Sequence, residues 1–139
     1  MISHHAALIY VMVMVSAADR NMTDAELGMI GEIVSFLPIF RDYDTALLPK
    51  TTAACAELLD SDDGLDRCFD VIRASLPARL RETAYAVACD VAAADGEPHQ
   101  EVIRLLEIMR RRLDVDRLVA AAIERGALAR FAILQAPDH

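Results

Sequence analysis

The chain contains no tryptophan and few residues that interrupt helices, with five glycines and five prolines among 139 residues. Its abundant residues, such as alanine, leucine, glutamate and arginine, favour helix interiors over strands. Hydrophobic residues make up 55% of the sequence, which excludes a disordered chain and suffices for one substantial core at this length. We therefore expect a single all-α domain.

Cysteine is also scarce, and the three residues Cys55, Cys68 and Cys89 have no CxxC spacing. Each lies among apolar neighbours, so the three cysteines do not indicate a disulfide framework or a zinc site. We predict three buried, unpaired thiols in a reducing compartment.

Basic residues are outnumbered by acidic ones, 14 to 22, and the net charge is -8. Such a charge repels nucleic acid and anionic membrane surfaces, so neither is an expected partner. The one basic run, Arg110–Arg112, spreads around a helix and is interpreted as a solvated face rather than an anion site.

The longest apolar run, Ala6–Val15, is too short to span a bilayer. No lysine or arginine precedes it, which argues against an export signal even though Val15–Ala17 resembles a cleavage site. We predict a buried helix over 2–18 in a cytoplasmic protein. A strand is the alternative, because three valines alternate in this run.

Apolar residues at three- and four-residue spacing predict a compact bundle of about seven helices. The clearest helix start is at Thr23. With Glu26 it is expected to form a capping box, in which each side chain accepts a hydrogen bond from the other residue's backbone N–H. The last helix is expected to follow Asp114 as N-cap and to run toward Gly126. The apolar faces include Leu27, Leu65, Ile103 and Leu118. The predicted helices cover about 2–18, 23–37, 45–60, 64–75, 77–95, 99–112 and 115–126, in one domain over 4–130 with a tail at 131–139.

An internal repeat aligns Ala17–Asp19 with Ala93–Asp95. An apolar helix precedes each copy, and a short polar break and an amphipathic helix follow it. Apolar residues recur at the same offsets, Leu27 and Ile30 in the first copy and Ile103 and Leu106 in the second. The repeat predicts two pseudo-symmetric helical hairpins.

Acidic residues cluster around both breaks of the repeat. Asp19 and Asp95 stand at predicted helix C-termini, where the helix dipole disfavours negative charge, so a ligand is one reason for their presence. First-turn carboxylates such as Asp24, Glu26 and Glu101 are favoured by the dipole without any ligand. A divalent-cation site for Ca²⁺ or Mg²⁺, which prefer oxygen ligands, and simple capping are therefore both open.

Known catalytic and EF-hand patterns are missing. An EF-hand loop read from Asp19 or from Asp95 reaches Ile30 or Leu106 at its twelfth position, where a bidentate glutamate is needed. The sequence also contains no P-loop, GxGxxG, GxSxG or HExxH motif. We expect a protein that is not an enzyme.

Two segments, SAADRNMTDAELGMIGEIV and LRETAYAVACDVAAADGEPHQEVIRLLEIM, resemble the paired acidic motifs of the tellurite-resistance TerB-like family. That family's pattern is an alanine-rich helix, Asp-Gly, a short spacer and a helix opened by Glu, and the match spans roughly residues 4–130. The resemblance implies a seven-helix TerB domain, found in bacterial stress systems and in the membrane co-chaperone DjlA. It further implies divalent-cation binding and a scaffolding role between other proteins.

In the first motif, the resemblance assigns cation-ligand positions to Asp19 and Glu26, with Asp24 in the same acidic turn. Arg20 stands where the family has glycine. In the second motif, Asp95 matches the aspartate and Glu101 the helix-opening acid. The resemblance also includes Glu82 and Asp90, eight residues apart on one helix.

Val102 occupies the place of a further glutamate in the second motif. The second motif therefore has one cation ligand fewer than the family's pattern. The leading expectation is a cation-binding scaffold of a bacterial tellurite or stress-resistance system, a monomer or weak homodimer that binds other proteins. The alternatives are a cation-independent interaction module resembling a co-chaperone and, third, a hydrolase of unknown substrate.

Overall fold

The computed structural model describes residues 1–18, 23–94, 96 and 98–134. Within them the fold is all-helical, without a strand, which confirms the predicted fold class. Three short 3₁₀ turns, Pro38–Phe40, Thr45–Leu47 and Ala78–Leu80, connect neighbouring helices. The described part of the chain forms seven α-helices, which are α1 His4–Ala17, α2 Asp24–Phe36, α3 Leu48–Leu59, α4 Gly64–Ser75, α5 Arg81–Ala93, α6 Gln100–Arg112 and α7 Arg117–Arg130.

Helix α1 is the central helix of the bundle, and it contacts α2, α3, α4, α5 and α6. Every residue from Ala7 to Ser16 is buried. Because α1 has no Asp, Glu, Lys or Arg, it can be surrounded by other helices without burying a formal charge. The low helix propensity of its valines is outweighed by burial, which stabilises by about 1.5–3 kcal/mol for each large apolar side chain. The strand alternative is therefore wrong.

No helix among the described residues has the length and apolar character needed to span a membrane.

Helix α5 forms the second layer of the core and contacts α1, α2, α6 and α7. Its buried face consists largely of small side chains, including Ala84, Ala88 and Ala92, which let neighbouring helices approach closely. Helix α7 packs mainly on α5, so a narrow face suffices, and only Ala120 and Ala127 are fully buried.

Several residues predicted to face the core are exposed instead. Leu118 is 79% exposed, because α7 turns only its narrow alanine face toward α5. Leu27 and Ile103, at equivalent positions of the repeat, are also about half exposed, at 47% and 51%. Residues one turn further along, Ile30 and Leu106, are buried. Leu65 at the start of α4 is likewise exposed.

The link between α3 and α4 requires glycine at position 64. A Cβ atom there would lie 2.1 Å from the carbonyl oxygen of Leu59, which is a backbone atom and cannot move aside cheaply. Asp63, just before it, has a positive φ of 55°. This close approach lets α3 and α4 pack as a tight hairpin.

The start of α7 differs from the prediction. Asp116, not Asp114, is the N-cap, and its side chain accepts from the N–H groups of Leu118 and Val119. Asp114 instead has a φ of 55° and accepts a hydrogen bond from Arg73 at 2.7 Å. The guanidinium lowers the pKa of the Asp114 carboxyl. Helix α7 also continues through Gly126 to Arg130.

The three cysteines are buried and unpaired, as predicted. The Cys55 thiol donates to the carbonyl oxygen of Tyr10, at 3.7 Å, and so joins α3 to the central helix. A hydrogen bond with Cys68, together with burial, raises the pKa of the Cys55 thiol.

Candidate functional site

A groove of about 1230 Å³ lies at one end of the bundle, where α1 and α3 end and α4 and α6 begin. We call it the end groove. Its buried and half-buried lining is apolar and consists of Met14, Ala17, Ala18, Leu59, Leu105 and Ile108. Its exposed polar lining consists of Glu57, Asp60, Gln100, Glu101 and Arg104. The groove thus has an apolar floor and a polar rim.

Among the described residues, the rim carries three carboxylates and one guanidinium, so this part of it is acidic. Two helices, α1 and α3, also end at the groove, and neither has a basic residue in its last turn. The partial negative charge of their C-terminal carbonyl groups is opposed by the partial positive charge of the N-termini of α4 and α6, which begin at the same groove. The excess of carboxylates on the described rim therefore makes the end groove attractive to positive charge.

The end groove brings together parts of the two acidic motifs. Ala17 and Ala18, which precede Asp19 in sequence, line it, and so do Gln100 and Glu101 at the start of α6. The end of the first motif's apolar helix therefore lies beside the start of the second motif's amphipathic helix. Asp19 and Asp95 themselves lie outside the described residues.

The remaining residues of the first motif have a structural role. Glu26 is only 6% exposed and forms the predicted capping box with Thr23. Its Oε1 accepts from the Thr23 N–H at 3.0 Å, and the Thr23 hydroxyl accepts from the Glu26 N–H at 3.1 Å. Asp24 is exposed in the first turn of α2, where the dipole favours a carboxylate.

The two acids predicted on α5 lie in different surroundings. Glu82 is exposed in the first turn of the helix. Asp90 is half-buried and forms an ion pair with Arg130 at the end of α7. The Asp90 carboxylate is thus already engaged in holding α7 against α5.

Within the described part of the chain, no group of three or more His, Cys, Asp or Glu side chains is arranged to hold a metal ion. The described carboxylates alone do not make a chelating site. A divalent cation at the end groove would need oxygen ligands beyond the described carboxylates.

A second cavity, of about 450 Å³, lies between α5, α6 and α7. Tyr85, which is buried, donates its hydroxyl to Oε2 of Glu124 at 2.6 Å. Burial and the negative charge of Glu124 raise the pKa of Cys89 to about 12. Burial also raises the pKa of Tyr85. Both groups stay protonated near neutral pH, so neither is an activated nucleophile or base.

Sequence reasoning did not single out Glu57 and Asp60 on the groove rim, or the pairing of Glu124 with Tyr85. The rim carboxylates are exposed residues near the end of α3 and carry no spacing signal. Glu124 lies three residues before Ala127 on a helix whose buried face was predicted only in part. Contacts between residues so far apart in sequence have no local signature.

No family model, curated protein or solved structure matches the chain.

Proposed function

We propose that this protein is a non-catalytic scaffold domain whose end groove binds a partner protein and a divalent cation. One observation carries the proposal: Ala17 and Ala18, next to Asp19 in sequence, share the groove with Glu101. The resemblance to the TerB-like family suggests the setting, a bacterial tellurite or stress-resistance system. It also suggests the ion, Ca²⁺ or Mg²⁺.

The proposed cation ligands are Asp19, Asp95 and Glu101, of which Glu101 lines the end groove. All three come from the motif positions that the resemblance assigns, and hard divalent cations prefer such carboxylate oxygens. Glu26 and Asp90 are outer candidates, because one is engaged in the capping box and the other in an ion pair. We place Asp24 and Glu82 in the same outer group, since both are exposed residues of first turns.

Calorimetry on chelator-treated protein tests the cation. Binding to the native state raises the thermal midpoint by mass action, so Ca²⁺ or Mg²⁺ is expected to raise the Tm of the wild type. Asp19→Asn, Asp95→Asn and Glu101→Gln are expected to reduce that rise and to remain folded in metal-free buffer, because none of them opens a cavity. Glu32→Gln, an exposed acid on α2 away from the groove, is the matched control.

A cation-independent interaction module is the second candidate. It is favoured by the structural roles of two predicted ligands, since Glu26 is engaged in the capping box and Asp90 in an ion pair with Arg130. In that case no divalent cation raises the Tm, and the rim acids only keep the domain soluble and attract basic partners. The two candidates therefore differ in one measurement.

A hydrolase is the third reading and has the least support. The two unusual ionisable groups of the second cavity, Tyr85 and Cys89, have raised pKa values and point away from nucleophilic chemistry.

A further inference from the structure

The end groove has the surface of a helix-binding site. Its floor is formed by apolar side chains of three different helices, Met14 of α1, Leu59 of α3, and Leu105 and Ile108 of α6. Leu65 of α4 is an exposed apolar residue at its edge. Amphipathic helices bind such grooves by inserting apolar side chains that recur every three or four residues.

The size of the end groove also suits a helix. Its volume of about 1230 Å³ exceeds the range of roughly 300–1,000 Å³ that is typical of small-molecule pockets. A cylinder about 10 Å across and about three helical turns long has nearly the same volume. The groove is therefore large enough to take a short helical segment.

The charge of the rim selects the kind of helix. Among the described residues of the rim, Glu57, Asp60 and Glu101 outnumber Arg104. A partner helix with lysine or arginine beside its apolar face pairs with this rim. An acidic helix is repelled, and a second copy of this chain, with its own net charge of -8, is disfavoured in the same way.

We propose that the end groove binds a basic amphipathic helix of a partner protein. This inference rests on the scaffold function proposed above and specifies its partner. The apolar side chains of that helix cover the floor, and its basic side chains face the rim.

The test uses fluorescence anisotropy with three labelled synthetic peptides in chelator buffer. The first is a helix with leucines at three- and four-residue spacing flanked by lysines, the second replaces every lysine with glutamate, and the third scrambles the first. We expect the wild type to bind the lysine peptide at least about tenfold more tightly than either of the others. Added salt should weaken that binding.

Groove variants locate the site. Glu57→Lys, an exposed change on the rim, is expected to weaken the lysine peptide about fivefold or more, whereas Glu32→Lys, with the same charge change on α2, has little effect. Leu65→Gln is expected to weaken it by about tenfold. Leu118→Gln, at an exposed position of α7, is its control.

Several results overturn this inference. They are equal binding of the lysine and glutamate peptides, equal effects of Glu57→Lys and Glu32→Lys, or no peptide binding at all. Self-association that Glu57→Lys or Leu65→Gln disrupts, without peptide binding, would assign the groove to a second copy instead. The peptides are tested in chelator buffer, so the peptide measurement does not depend on a bound cation. If no peptide binds, the calorimetric test of cation binding still stands, and if no cation binds, the peptide test still stands.

Discussion

The Thr23→Ala substitution tests whether the acids of the first motif stabilise the fold or serve to bind a ligand. Thr23 is half-buried, and its hydroxyl accepts from the Glu26 N–H at 3.1 Å. Replacing an N-cap threonine with alanine typically costs about 0.5–2 kcal/mol. We expect a loss of about 1.5 kcal/mol, because the partner Glu26 is buried and water cannot fully replace the missing hydroxyl.

The matched variant is Glu26→Gln. The amide oxygen of glutamine still accepts from the Thr23 N–H, so the capping box survives and only the charge is lost. The lost charge at the helix N-terminus is worth about 0.3–1 kcal/mol. In a domain of this size, about 1 kcal/mol corresponds to roughly 3 °C, so thermal unfolding followed by circular dichroism separates the two variants.

In chelator buffer we expect the Tm to fall by about 5 °C for Thr23→Ala and by about 1–3 °C for Glu26→Gln. A larger fall for Glu26→Gln than for Thr23→Ala would refute the capping account. The capping account would also be wrong if a divalent cation strongly raised the Tm of the wild type but did not raise the Tm of Glu26→Gln. In that case Glu26 would be a cation ligand.

Gly64→Ala is expected to cost about 3 kcal/mol or more in urea unfolding, because the new Cβ meets the Leu59 carbonyl; a loss under about 1 kcal/mol contradicts this. Asp114→Asn should lower stability near pH 7 but not at a pH below the lowered pKa of Asp114, since pairing with Arg73 is lost as that carboxyl protonates. Cys89, with its pKa near 12, should not react with an aromatic disulfide reagent near pH 8 until the protein unfolds. Rapid labelling of the native protein would contradict its burial.

Much of the secondary structure could be predicted from local signals. The capping box at Thr23 and the helix Gly64–Ser75 appear where the sequence indicates them, because caps and turns depend on residues only a few positions apart. The apolar run in α1 likewise predicted a buried helix. A segment of that length without charge is stable only when other helices cover all of its sides.

The exposure of individual side chains was harder to predict. Leu118 satisfies the apolar spacing of α7 and is nevertheless exposed, because the number of neighbours around a helix is a property of the whole bundle. The sequence likewise could not distinguish Asp114 from Asp116 as the N-cap of α7. Both are good caps locally, and Arg73, more than forty residues earlier, pairs with Asp114.

The sequence by itself determined the helices, the capping box of α2, the buried thiols and the acidic charge, since each follows from composition or from spacing within one helix. Only the tertiary structure decided which of these features meet. The end groove joins Met14, Leu59, Leu65 and Leu105 from four separate helices, and its rim includes both Glu57 and Glu101. No local sequence pattern predicts that these residues come together. Their proximity depends on how the helices pack around α1, and not on the residues of any single helix.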